Sequence, residues 1–186
     1  MHQLLNSAGD TYVRTATLAD WPLIETLHRS CSEQALHRRW GRTRITRRDI
    51  ERLLNHSRCW IALHATDAVI ALASTGPISR EPGVFDLGLQ VADAHQRRGI
   101  GLALARHAAA HAHSRGAHTL AVYTQASNQP MLGLLRRLGH VTASRDAPHL
   151  DVRLSLSAAG AIPPRTARPG GSPAVHHTPD EGPDQP

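Results

Sequence analysis

The chain has 186 residues, 40% of them apolar, which is enough for one domain with a buried core. Its formal net charge of +6 and pI near 10.8 favour a polyanionic partner such as a nucleic acid, an anionic lipid or a phosphorylated ligand, and all 21 basic residues are arginine. Cys31 and Cys59 have neither the spacing of a disulfide framework nor that of a metal site, and no apolar run approaches the roughly 18 residues of a membrane span, so we expect a cytoplasmic protein.

The first half of the chain predicts one strand, three helices and a hairpin. Tyr12 to Thr15 is typical of a short strand, and Asp20-Trp21-Pro22 begins a helix because aspartate caps it and proline is tolerated in the first turn. Leu23 and Leu27, four residues apart, are expected on the buried face of that helix. Two more helices and two hairpin strands follow, over residues 33–40, 47–55, 59–63 and 68–72.

The second half predicts alternating strands and helices. The elements are a strand, helix, strand, helix and two strands, over residues 84–91, 99–114, 120–124, 128–138, 140–143 and 149–154. This order indicates an α/β domain whose mixed, mostly antiparallel sheet is flanked by helices. Residues 157–186 contain seven prolines and four glycines and predict a disordered tail. We therefore divide the chain into a flexible N-terminus (1–11), one folded domain (12–156) and the tail (157–186).

The junction between the strand at 84–91 and the next helix carries Gln96-x-x-Gly99-x-Gly101. A Walker loop needs a lysine, which the chain lacks, and a dinucleotide fingerprint expects an acidic residue on the next strand, which has none. The remaining interpretation is a pyrophosphate held by successive backbone amides at a helix N-terminus, with Arg97 and Arg98 adding positive charge.

The stretch Val91 to Gly101 resembles the acetyl-CoA motif of the GCN5-related N-acetyltransferases (GNAT), written Gln/Arg-x-x-Gly-x-Gly/Ala. The resemblance extends over about residues 12–155, because the element order and the later Asn128 and Leu138-Gly139 also match. It implies the GNAT fold, acetyl-CoA as co-substrate without a metal, and transfer of the acetyl group to a primary amine. It also implies cofactor contacts from residues around the loop, namely Leu89, Val91, Ile100, Leu102 and Asn128.

A narrower resemblance concerns the acceptor. Ser32 to Trp40 (SEQALHRRW) is similar to the Ser-x-Glu-Ser-x-x-x-Arg-Phe segment of bacterial Pat-type protein lysine acetyltransferases. Phe85 to Ala94 is similar to their strand before the CoA loop, where an acidic residue is the proposed base. Trp40 in the aromatic position and Asp86 in place of glutamate depart from that pattern. The resemblance makes a protein lysine the favoured acceptor and leaves a small amine as the alternative.

The reaction needs a base, because an amine attacks a thioester only in its neutral form and lysine has a pKa of about 10.4. Asp86 is the candidate, since it lies on the strand that leads into the loop and shares a face with Gly88 and Gln90. Aspartate is one methylene shorter than glutamate, so we expect a water to relay the proton. Backbone N–H groups near Leu89 to Val91 are expected to stabilise the oxyanion where the strand splays.

A general acid is less necessary, because the leaving thiolate has a pKa near the roughly 8.5 of cysteine. Many members of the family carry a tyrosine on the helix after Asn128, where this chain has Leu134-Leu135. Tyr123 is a conceivable substitute, although a tyrosine in the core or at the edge of a cleft is the simpler interpretation.

Three further features bear on function. His107 and His111 have a spacing compatible with a metal, but no glutamate accompanies them and we expect no metal site. The basic stretch Arg38 to Arg52 lacks interleaved aromatics, which favours a solvated or substrate-facing surface over nucleic-acid binding. A non-catalytic CoA-sensing module remains the alternative to an enzyme, and only an enzyme needs Asp86. The oligomeric state is not indicated by the sequence.

Overall fold

The computed structural model describes residues 11–64 and 67–156. Residues 1–10, residues 65–66 and the predicted tail 157–186 lie outside the described residues. The strands and helices follow in the order β1 Tyr12–Thr15, α1 Trp21–Arg29, α2 Glu33–Trp40, α3 Arg47–His56, β2 Arg58–Leu63, β3 Val69–Pro77, β4 Val84–Val91, α4 Ile100–Ser114, β5 Thr119–Gln125, α5 Gln129–Leu138, β6 Val141–Asp146 and β7 His149–Ser155.

All seven strands form one sheet in the order β1-β2-β3-β4-β5-β7-β6. Every neighbouring pair is antiparallel except β4 and β5, which are parallel and are connected through α4. The expected mixed, mostly antiparallel α/β architecture is therefore confirmed. The parallel ladder is short: it pairs only three residues of each strand and ends at Asp86 opposite Ala121. Beyond that pair β4 stays bonded to β3 and β5 to β7, so the sheet opens between them.

Two apolar layers cover the sheet. On one face α1 and α3 contribute Ile24, Leu27 and Ile50, each at most 1% exposed. On the other face α4 and α5 pack over a second group of buried apolar side chains, which includes Leu104, Leu120 and Leu135. The buried side chains of α4 are mostly alanines, at positions 103, 105, 108 and 112. Because alanine ends at Cβ, the axis of α4 approaches the strands closely.

Helix α1 is turned differently from the expectation. Leu23 is 38% exposed, whereas Ile24 and Leu27 are buried. The buried pair is spaced three residues apart, a second helical spacing that the sequence also allows. Within the described ranges, no helix is both long enough and apolar enough to cross a membrane.

Strand β3 also extends beyond the predicted 68–72. The additional residues include Ser74 and Thr75, which are polar and yet 0% and 1% exposed. Both hydroxyls are hydrogen-bonded inside the domain, Ser74 to an arginine and Thr75 to a backbone carbonyl. Satisfied polar groups can be buried at little cost, so the strand continues where the apolar pattern stops.

Asp20 connects β1 to α1. Its carboxylate accepts hydrogen bonds from Arg14 Nη1 at 2.9 Å and Nη2 at 2.6 Å, and from the Thr17 backbone N–H at 2.7 Å. The Asp20 side chain is 8% exposed. The bonds from Arg14, opposed by burial and supported by Thr17, lower the pKa of Asp20 to about 2. The ionised carboxylate therefore stabilises the folded chain.

We expect Asp20→Asn to lower the free energy of unfolding by about 2 kcal/mol at pH 7, at roughly 1.36 kcal/mol for each pKa unit. A lowered pKa in the folded state gives stability that is present above about pH 4 and lost as the pH falls toward about 2. The difference between the proteins should therefore shrink over that interval in urea titrations. Glu33→Gln, at an exposed position, should change stability by less than about 0.5 kcal/mol. A difference independent of pH would contradict this role of the carboxylate.

Candidate active site

A cavity of about 610 Å³ lies where β4 and β5 diverge. Its walls come from α2, β4, the loop before α4, the end of β5 and α5. Eight of the predicted cofactor residues line it, namely Leu89, Val91, Gln96, Arg97, Gly99, Gly101, Leu102 and Asn128. Arg98 is exposed outside the lining, and Ile100 is 4% exposed in the core below α4. The structure thus brings most of the predicted residues to one opening.

The open edge of β4 presents backbone amides to this cavity. Val84 O accepts from Ile78 N, and Ala92 N donates to Ile70 O, so the even-numbered residues of β4 bond to β3. In an antiparallel pair the alternate residues point their amides the other way. Leu89 and Val91 therefore turn their amides toward β5, beyond the last residues that the parallel ladder pairs.

The loop before α4 is held in a concave shape. Gln96 Nε2 donates to Val91 O at 3.2 Å and to Asp93 Oδ1 at 3.1 Å, and Asp93 Oδ2 accepts from Ser32 N at 2.6 Å. The loop is therefore fixed to both β4 and α2. Arg97 and Gly99 have positive φ angles of 60° and 82°. Such a turn at a helix N-terminus directs backbone N–H groups toward an anion.

Gly101 lets the first turn of α4 approach the sheet. A Cβ atom there would lie 3.3 Å from Leu89 Cδ2 and 3.4 Å from Leu134 Cδ1. An elongated ligand with one anionic end and one apolar part fits this arrangement, because amides and Arg97 lie at one end and Leu89 and Leu134 contribute an apolar wall near Gly101. The residues present therefore fit the acetyl-CoA that the sequence resemblance implies.

Asn128 and Tyr123 have local partners. Asn128 Oδ1 accepts from Met131 N at 3.4 Å, which confirms the predicted N-cap of α5, and Nδ2 donates to Thr124 Oγ1 at 2.9 Å. Tyr123 is 60% exposed at the cavity edge, and its hydroxyl donates to Asp146 at 2.9 Å. This hydrogen bond raises the pKa of Tyr123. Tyr123 therefore occupies the cleft-edge position that the sequence left open.

Asp86 lies at the last residue pair of the parallel ladder. Its Oδ1 accepts from Gly76 N at 2.7 Å. Burial raises the pKa of Asp86 above its usual range, while the Gly76 N–H and the charge of Arg39 oppose that rise. Asp86 does not itself line the cavity, although Gly88, two residues farther along the same face, does. The carboxylate is thus set back from the space that a substrate would fill.

Arg39 is the site residue that residue-by-residue reasoning missed. Its side chain leaves the last turn of α2, lines the cavity, and donates from Nη2 to Ser74 Oγ at 2.9 Å. A Cβ on Gly88 would lie 1.9 Å from Arg39 Nη2. The guanidinium therefore occupies the space that the absent Gly88 side chain leaves, two residues along β4 from Asp86. The sequence did contain one signal for it, because Arg39 matches the arginine of the Ser-x-Glu-Ser-x-x-x-Arg-Phe segment to which Ser32 to Trp40 is similar.

The paired histidines of α4 pack against an aromatic ring. The rings of His107 and His111 each lie 5.1 Å from that of Trp60 in edge-on contacts. Across residues 11–64 and 67–156, no group of three His, Cys, Asp or Glu side chains is arranged to hold a metal ion. These two ring contacts pack α4 against β2.

Comparison with known proteins identifies the fold. The family model for the acetyltransferase (GNAT) family matches residues 21–140. The GNAT domain of S. lividans PAT superposes with a TM-score of 0.73 at 22% sequence identity, covering 82% of this chain and 94% of that one. A comparison with curated protein sequences gives no match.

Two further solved structures are similar and contain ligands. The protein yncA from Salmonella typhimurium, solved with its cofactor acetyl-CoA, has a TM-score of 0.66 at 18% identity and covers 80% of this chain and 95% of its own. Spermidine N-acetyltransferase from Vibrio cholerae, in complex with CoA and spermine, has a TM-score of 0.60 at 15% identity, with coverages of 77% and 92%. At these sequence identities the similarity shows that the fold is shared and nothing beyond the fold.

We expect Gly99→Val to weaken CoA binding at least tenfold, about 1.4 kcal/mol, because a β-branched residue resists the positive φ that aims the loop amides. Gly116→Val is the matched control. Gly116 has φ 86° at the opposite end of α4, and like Gly99 it has open space around its Cβ position. Both variants should lose similar thermal stability, but calorimetry should show weaker CoA binding only for Gly99→Val. Equal affinities in the two variants would exclude the loop as the pyrophosphate site.

Proposed function

The chain belongs to the GNAT family of acetyltransferases, and on that basis we propose that it transfers the acetyl group of acetyl-CoA to a protein lysine. The observation that carries the proposal is the opening between β4 and β5. One end of this opening meets the amide-lined loop and the other end approaches Asp86.

In this proposal the chain binds the cofactor mainly through its backbone. The loop amides at the N-terminus of α4, together with Arg97, hold the pyrophosphate. The amides of Leu89 and Val91 donate to the extended arm that lies along the open edge of β4. The apolar wall near Gly101 excludes water from the arm where it leaves the loop, which strengthens the polar contacts there.

The bound cofactor supplies a thioester carbon that a neutral amine can attack. Asp86 takes the proton from the acceptor nitrogen, and its recessed position means that a water carries this proton. Tyr123, with its hydroxyl engaged by Asp146, is not assigned the role of acid. A thiolate with a pKa near about 8.5 leaves without one.

The charges around the cavity support an acceptor that is not a polyamine. Four arginines line it: Arg38, Arg39, Arg97 and Arg137. Asp93 is the only acidic side chain among the described residues of the lining, and it already accepts from Ser32 and Gln96. A polycation such as spermine would be repelled, whereas one lysine on a protein brings a single positive charge.

The first test compares acceptors. We expect an N-terminally blocked lysine peptide to be acetylated with a kcat/KM at least tenfold above that of spermidine, because the arginine-lined wall repels the polycation. Mass spectrometry of both products under the same conditions gives the ratio. A preference for spermidine would contradict the choice of a protein acceptor, and no transfer to any amine would contradict the enzyme proposal.

The second test concerns the base. We expect Asp86→Asn to retain CoA affinity and to lower kcat by roughly 10²-fold, because asparagine cannot take the proton. The defect should diminish as the pH rises, because hydroxide can then take the proton from the nitrogen in place of Asp86. Asp67→Asn, before β3 and outside the cavity lining, is the control and should leave the rate unchanged. A wild-type rate for Asp86→Asn at neutral pH would make Asp86 structural and favour the CoA-sensing alternative.

A further inference from the structure

The Arg39 guanidinium is held in a site that three secondary-structure elements build. Arg39 comes from α2, Ser74 from β3 and Gly88 from β4. Its Nη2 donates to Ser74 Oγ at 2.9 Å, and a Cβ on Gly88 would lie 1.9 Å from Nη2 and 2.3 Å from Cζ. We call these three residues the arginine seat. Any side chain at position 88 would displace the guanidinium from it.

The end of α2 that carries Arg39 is itself fixed. Trp40 Nε1 donates to His28 Nε2 at 3.2 Å, and the two rings meet edge-on at 5.3 Å. The Arg39 guanidinium lies 4.9 Å from the centroid of the Trp40 ring. These contacts hold the last turn of α2 against α1, so the orientation of Arg39 does not depend on its single bond to Ser74.

Two opposite charges, those of Arg39 and Asp86, lie in the region where α2 packs on β3 and β4. Burial lowers the pKa of His28 on α1 to about 4 and raises the pKa of Cys59 on β2 to about 12, so both are neutral at pH 7. Burial lowers the pKa of Arg39 and Asp86 opposes that change, but an arginine side chain keeps its proton in proteins. Asp86 on β4 is the acidic group that interacts with it. The other cations nearby are Arg38 on α2 and Arg58 at the start of β2.

We propose that Arg39 is a positioning residue that controls protonation on both sides of the proton transfer. Arg39 keeps Asp86 ionised where α2 packs on β3 and β4. It also disfavours the ammonium form of the amine that enters the cavity. The inference rests on the proposed function. Its basis is the register of β3 and β4: the guanidinium contacts Ser74 and Gly88, the residue pair two positions along the same face from Gly76 and Asp86, and Gly88 lines the cavity whereas Asp86 does not. A cation stabilises a neighbouring carboxylate and repels a neighbouring ammonium.

Every proton and electron pair in the acetyl transfer has a donor and an acceptor. The acceptor ammonium releases one proton to solvent and becomes the neutral amine. The nitrogen–carbon bond forms, the carbon–sulfur bond breaks, and its electron pair leaves with the sulfur as thiolate. A second proton passes from the nitrogen through a water to Asp86. Arg39 gives up no proton and forms no bond at any step.

The first experiment measures Asp86 directly in the full chain without CoA. Carboxyl-¹³C NMR follows the titration of Asp86, which the Asp86→Asn variant assigns. We expect Arg39→Gln to raise the pKa of Asp86 by about one unit or more, because it removes the facing cation. Arg52→Gln, at an exposed position on α3, is the matched control and should leave it unchanged. An unchanged Asp86 titration in Arg39→Gln would overturn the proposal.

Gly88→Ala provides an independent variant in case Arg39→Gln does not fold. It retains both charges but places a methyl group in the arginine seat, which moves the guanidinium away. The same upward shift of the Asp86 titration is expected. A titration like that of the wild type, in a folded Gly88→Ala protein, would overturn the proposed role of the seat.

The second experiment records kcat/KM against pH with the blocked lysine peptide. In Arg39→Gln we expect the acidic limb to move about one unit upward, with roughly tenfold lower activity at pH 7 that recovers in alkali. Arg39→Lys, which retains the charge, should restore much of the profile. Equal loss at every pH would indicate a merely structural role, and higher activity at pH 7 would indicate that Arg39 blocks the site. Either result overturns the inference.

The two experiments separate the inference from the proposed function. If the wild-type chain acetylates no amine, the proposed function fails, and the NMR titration still decides whether Arg39 controls Asp86. If the wild type is active and neither readout changes in Arg39→Gln, the inference alone fails.

Discussion

The divergence of β4 from β5 is the constraint on which the rest of the site depends. The parallel ladder ends after three residue pairs, while the antiparallel ladders on either side continue. The strands therefore separate without losing their other partners. The same divergence leaves the amides of Leu89 and Val91 facing open space and makes room for the loop before α4. Asp86 lies where the strands part, which places it at the inner end of the opening.

The order of elements was predictable from the sequence because the buried positions of the helices recur at helical spacing and the central strands β2 and β3 are short, continuously buried runs. Glycines at the β4–α4 junction also indicated the loop, since few other residues adopt a φ near 82°. The rotation of α1 was not predictable, because Leu23 and Ile24 offer two apolar faces and only tertiary packing selects one. The full length of β3 was also missed, since its buried Ser74 and Thr75 break the apolar pattern.

The site was predictable only in part, and for a physical reason. Loop residues and Asp86 lie close together in the sequence and share one strand and its exit. Arg39 comes from α2, about fifty residues earlier in the chain, and reaches Gly88 only through the packing of that helix on β4. The long side chain of Arg39 fills the space that Gly88, which has no side chain, leaves open. Periodicity along a single element contains no information about such a pair, so it emerges only from the folded structure.

The alanine-rich face of α4 has a consequence for how tightly a ligand can be held. Alanine has no side-chain rotamers, so burying positions 103, 105, 108 and 112 costs no rotamer entropy, and Ile100 and Leu104 are the other side chains that α4 buries. Few rotamer changes beneath the helix can therefore accompany a tilt or a slide. This favours a fixed position of its first turn relative to β4 and preorganised amides there. A ligand that binds to them spends little of its binding free energy on ordering the protein.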